Sequence, residues 1–83
     1  MSSRHDATLA FTYPDERLAR TVAESVRVEV GEIADDRSAA TVDRDGRVVR
    51  VCVEAADLVA LRAGVNTWSH LVGVAEAVAT GVT

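Results

Sequence analysis

Residues 47–72 read "RVVRVCVEAADLVALRAGVNTWSHLV", and the hydrophobic period changes partway along them. Val49, Val51 and Val53 alternate with Arg50, Cys52 and Glu54, which marks a strand with one core face and one more polar face. Beyond Asp57 the apolar residues recur every three or four positions, the period of a helix. Asp57 suits the N-cap and Gly81 the left-handed close, so the helix is expected to run to about Thr80.

Upstream, "RSAATV" (37–42) reads as the strand that pairs with this one across the turn "DRDG" (43–46), where Gly46 suits a left-handed backbone. Residues 28–36, "VEVGEIADD", read as an irregular connector broken by Gly31. Before them Leu18, Ala19, Val22, Ala23 and Val26 make one narrow apolar stripe, as on a helix lying against a sheet. Pro14 opens that helix where its missing N–H is not needed, with Asp15 and Glu16 at the positive end. Glu16 and Arg20 form an (i, i+4) pair. Residues 7–13, "ATLAFTY", alternate again, with Ala7, Leu9, Phe11 and Tyr13 on one side and Thr8, Ala10 and Thr12 on the other.

The resulting order is β-α-β-β-α. It predicts an α+β fold of two layers, a three-stranded antiparallel sheet with two helices on one face. The strand order first–third–second would leave the first strand and "RSAATV" as edges. Residues 1–83 are expected to form a single domain, with 1–4 and 81–83 as flexible ends.

A chain of 83 residues supports only a thin core and often gains stability from association or staples. Its single cysteine, Cys52, rules out an internal disulfide, and no Cys/His cluster suggests a structural metal. All nine basic residues are arginine, and thirteen acidic residues leave a formal charge of −4. That composition fits a protein kept hydrated in concentrated salt, and it equally fits codon bias in a GC-rich genome. Either way, an acidic chain is a poor stand-alone phosphate binder. No apolar run approaches the roughly 20 residues of a membrane span. "MSSRHDA" lacks the apolar core of a signal peptide, so a cytoplasmic protein is expected.

The last helix carries more apolar surface than one small sheet can cover. At about 100° per residue two stripes stand side by side. Leu58, Leu61, Val65, Trp68, Val72, Ala75 and Ala79 are expected in the domain's own core. Ala60, Gly64, Thr67, Leu71, Val74 and Val78 are expected to bind a partner, small residues admitting another backbone and branched ones supplying area. Loops or the C-terminal tail are the competing cover for that stripe. Arg62, Asn66, Ser69, His70, Gly73, Glu76 and Thr80 form the water-facing side.

Catalytic chemistry finds little support. Cys52 and Glu54 point to the sheet face away from the helices, while His70 is on a helix, so nucleophile and base cannot meet. His5 and His70 have no ligand at metal spacing, and no phosphate-cradling glycine motif or G-x-x-G loop occurs. No metal or cofactor is expected. Arg44, Arg47 and Arg50 cluster at the hairpin and could touch RNA, but Asp43, Asp45 and Glu54 among them favour a salt-laced solvated hairpin.

The element order, together with "DLVALRAGVNTWSHLVGVAEAV" (57–78), resembles the CTAG/Pcc family, the small dimerisation subunit of the KEOPS complex. Asp57, Leu61, Arg62, Val65, Asn66 and Trp68 carry the most specific part, close to D-x-x-x-L-R-x-x-[VL]-N-[ST]-[FWY]. The resemblance spans nearly the whole chain, and the lysine-free, acidic composition would suit a version from a salt-loving archaeon. It implies a non-catalytic scaffold that binds the threonylcarbamoyl-transferase subunit through its helices. The complex makes threonylcarbamoyladenosine in tRNAs that read ANN codons. It also implies a homodimer or a heterodimer with a paralogue, formed through a sheet edge or through the small-residue face with Thr8, Ala10 and Cys52. Contact with tRNA would be indirect or weak. Arg62, Asn66 and Trp68 would stand at the interface edge. The alternative is a stand-alone RNA-binding module of KH-like shape using Arg44, Arg47 and Arg50.

Overall fold

The computed structural model describes residues 5–33 and 38–81, with side chains of 31–33 left aside. The expected ends at 1–4 and 82–83, the connector at 34–36 and Arg37 lie outside the described residues. The elements are β1 (His5–Thr12), α1 (Glu16–Ile33), β2 (Ser38–Asp45), β3 (Val48–Ala55) and α2 (Leu58–Thr80). They form the expected α+β fold, a three-stranded sheet in the order β1-β3-β2.

β3 is the centre of the sheet and runs antiparallel to both neighbours, pairing Thr8 and Thr41 across Cys52, and Leu9 and Val42 across Val51. β1 and β2 are therefore parallel to each other and separated by β3, with α1 crossing between them. In β3 Val49, Val51, Val53 and Ala55 are buried while Arg50 and Glu54 are exposed. That alternation puts both helices on one face and leaves the other open. The core joins those valines to Ala19, Val22, Ala23 and Val26 of α1 and to Trp68, Val72 and Ala75 of α2. Complete burial of a valine contributes about 1.5–3 kcal/mol over leaving it exposed.

Three local features differ from expectation. Asp15, not Pro14, terminates α1: its Oδ1 accepts the Leu18 N–H at 2.8 Å, so Pro14 lies just outside the helix. Gly31 does not break α1, which continues to Ile33. Val30 packs on the core one turn beyond Val26, and such burial outweighs the roughly 1 kcal/mol that a helical glycine costs. Finally, the hairpin is tighter than the expected 43–46 turn. β2 runs on to Asp45, which pairs with Val48, so only Gly46 and Arg47 lie in the loop. Gly46 has φ +60° and, among the described residues, no non-glycine residue has positive φ, the pattern of a two-residue turn with glycine first.

α2 is capped at both ends as its sequence suggests. Asp57 Oδ1 accepts the Ala60 N–H at 2.8 Å. Gly81, at φ +77°, donates its N–H to the carbonyls of Ala77 and Val78.

Candidate partner-binding surface

α1 and α2 lie side by side on the sheet and run in opposite directions. Leu18 and Thr21 stand near Ala79 and Thr80, whereas Ser25, Val26 and Glu29 stand near Leu71, Val74, Ala75 and Val78. Along the second of these contacts the helices leave a groove of about 190 Å³. Its α2 wall is apolar and partly open, with Val74 47 % and Val78 71 % exposed. Leu71 is half-buried at its base, against the core.

Only part of the expected partner stripe faces outward. Thr67, Val74 and Val78 are exposed, but Ala60 is buried and Gly64 is turned onto the protein's own sheet. A Cβ at Gly64 would lie 2.7 Å from Val53 Cγ1. The glycine thus lets α2 approach its own β3, and the open backbone inferred for a partner is occupied within the chain. Ala60 and Gly64 are corrected from partner contacts to internal ones. The rotation has a counterpart in the expected core stripe, where Leu58 is 65 % exposed at the helix start instead of buried.

The supposed interface edge divides as well. Trp68 is buried in the core. Arg62 and Asn66 are exposed, but they stand about 160° and 120° around the helix from Val78 at ~100° per residue, so they do not border the groove. Their side of α2 carries a separate patch of Leu58, Val59 and Arg62 at the N-terminal end.

The hairpin arginines do not converge on one surface. Arg44 lies on the helix side of β2 and donates to the Gly46 carbonyl at 2.8 Å. Arg50 lies on the outer face, 4.0 Å from the Asp45 carboxylate, and Arg47 is in the turn. Strand alternation therefore places Arg44 and Arg50 on opposite faces, which removes the continuous basic patch a phosphate backbone would follow.

Cys52 and Glu54 lie on the outer sheet face, with the sheet between them and the helix layer that holds His70. Among the described residues no three His, Cys, Asp or Glu side chains are grouped to hold a metal ion. No helix among them is long and apolar enough to cross a membrane.

One polar contact escaped the sequence reading. Tyr13 Oη donates to Glu76 Oε2 at 2.7 Å, joining the end of β1 to α2 beside a shallow depression lined by Leu18, Gly73 and Thr80. Glu76, expected on the water-facing side, is half-buried. Its position next to Ala75 and Ala79, both core-facing, was the available signal. Burial, then the hydrogen bond and the charge of Glu76, hold the Tyr13 hydroxyl above its ordinary pKa of 10.0.

The family described as "Transcription factor Pcc1" matches residues 6–80. The chain belongs to the Pcc1 family. The Pcc1 match takes in all five elements, the groove and the outer sheet face. Among solved structures, the chain is similar to one described as "Crystal structure of binary complex Gon7-Pcc1", at 23 % identity and a TM-score of 0.75. The alignment covers 89 % of this chain and 90 % of that one, so the fold is shared over most of both. No curated protein sequence matches the chain.

Proposed function

We propose that this Pcc1-family chain is a non-catalytic scaffold of a KEOPS-type complex, the assembly that makes threonylcarbamoyladenosine in tRNAs reading ANN codons. Its helices hold the threonylcarbamoyl-transferase subunit, and its sheet pairs with a second copy or a paralogue. The observation that carries the reading is the groove between α1 and α2, where Val74 and Val78 remain open beside Leu71. Exposed branched side chains in a helix–helix groove are suited to receiving a further helix. The fold likeness to a Pcc1 described in a binary complex with Gon7 supports a protein partner. Thr67 lies at the rim of this site, while Arg62 and Asn66 would have to act from the neighbouring face.

For the sheet, two surfaces are open. The edges β1 and β2 each present eight residues, and the outer face is lined by Thr8, Ala10, Thr41 and the half-buried Cys52. Long edges unpaired among the described residues and small side chains at the sheet centre both favour closure by another chain.

Co-expression with the transferase subunit and size-exclusion chromatography test the reading. Val74→Asp and Val78→Asp should each abolish co-elution while circular dichroism and thermal midpoint stay native. Wild-type-like binding by both variants would place the partner elsewhere.

A further inference from the structure

The groove has two unlike walls. α2 contributes Leu71, Val74, Ala75 and Val78, whereas α1 contributes Val26 together with two polar residues, Ser25 and Glu29. Glu29 is half-buried and has no hydrogen-bond or ion-pair partner among the described residues. A carboxylate-bearing residue in a largely apolar groove, with no cation of its own chain beside it among the described residues, leaves a charge for a partner to match. A cation placed opposite it supplies charge complementarity, which favours one partner and one register over others.

We propose that Glu29 selects the occupant of the groove by charge. The segment that docks is an amphipathic helix of another protein, apolar on the edge that meets Val74 and Val78. The edge that passes α1 carries Arg or Lys opposite Glu29. The shallow 190 Å³ groove fits one helical edge and not a deeply inserted group. The formal charge of −4 on the whole chain adds a long-range preference for a basic partner. This inference rests on the docking reading above and adds the partner's chemistry to it.

The test uses the co-expressed transferase subunit as probe, with Kd measured against the full chain at two salt concentrations. Glu29→Lys should raise Kd at least tenfold and Glu29→Gln about threefold, with thermal midpoints unchanged in both. Wild-type binding should weaken with salt, and Glu29→Gln should lose most of that dependence. Should Val78→Asp abolish binding while Glu29→Lys binds as wild type, the groove docks the partner and charge selection is wrong. If Val78→Asp and Glu29→Lys both bind normally, or the wild type does not bind, the docking reading itself fails and takes this inference with it. Loss of self-association in Val78→Asp, measured by sedimentation, would make a second copy of this chain the occupant and overturn the proposal.

Discussion

Tyr13 and Glu76 are 63 residues apart in sequence, yet the Tyr13 hydroxyl and the Glu76 carboxylate meet at 2.7 Å. The bond ties the exit of β1 to the last third of α2, close to where Tyr13 N–H also donates to the Arg47 carbonyl at 2.9 Å. Three elements (β1, the hairpin turn and α2) are therefore held together around one residue, through its backbone and its side chain.

Tyr13→Phe should destabilise the fold by about 1.5 kcal/mol, the lower end for a hydrogen bond to a charged group because Glu76 can partly rehydrate. Glu76→Gln should cost less, since an amide still accepts from the hydroxyl. Urea unfolding of both single variants and the double variant measures the coupling. Strictly additive losses would mean that the contact contributes nothing as a pair.

The same contact sets an alkaline limit. The folded Tyr13 keeps its proton above its ordinary pKa of 10.0, so the folded state binds more protons than the unfolded one once pH passes that value. The contribution is complete below pH 10 and is lost as pH rises beyond it, at up to about 1.4 kcal/mol per pH unit. Tyr13→Phe should flatten this part of the stability profile. Tyr13 is the single tyrosine, so tyrosinate absorbance reports it alone. In Glu76→Gln the midpoint should fall yet stay above 10.0, because burial is the leading cause of the shift.

Gly64→Ala should destabilise, against the usual gain of about 1 kcal/mol for replacing a helical glycine. The new methyl would meet Val53 Cγ1 at 2.7 Å, and Val53 is a buried, β-branched side chain with little freedom to turn away. Overpacking of this kind costs about 1–3 kcal/mol. In a Val53→Ala background the obstructing atom is gone, and Gly64→Ala should become stabilising. Thermal denaturation of the four proteins decides it; the same sign in both backgrounds would disprove the close approach.

The hairpin arginines should not make an RNA site. With Arg44 and Arg50 on opposite faces, tRNA titrated into the isolated chain at moderate salt should show no saturable binding. Arg44→Glu with Arg47→Glu should change nothing. Tight binding lost in that double variant would restore the RNA-module reading.

Much of the architecture was legible because period is a local property. The switch at Asp57 from alternation to a three-or-four repeat separates β3 from α2, and the narrow stripe from Leu18 to Val26 marks α1 as lying on a sheet. Capping at Asp57 and Gly81 was equally local, since the side-chain acceptor and the left-handed glycine are intrinsic to those residues. Where reading failed, a distant contact outweighed a local preference. Gly31 signals a break, but Val30 is held on the core and the helix continues. The turn signal in "DRDG" was sound, yet cross-strand pairing through Asp45 and Val48 moved the loop two residues onward.

The partner surface shows the same division most sharply. By itself the sequence determined that α2 carries an excess of apolar and small residues, because composition and helical period require no knowledge of neighbours. Only the tertiary structure decided which of them remain available. Small side chains at Ala60 and Gly64 admit a close backbone from any direction, and the direction was taken by the chain's own sheet. With α1 lying along Leu71 and Ala75, what is left to a partner is Val74 and Val78, with Glu29 opposite. A helical wheel has no record of where the second helix lies, and that position separates core from docking surface.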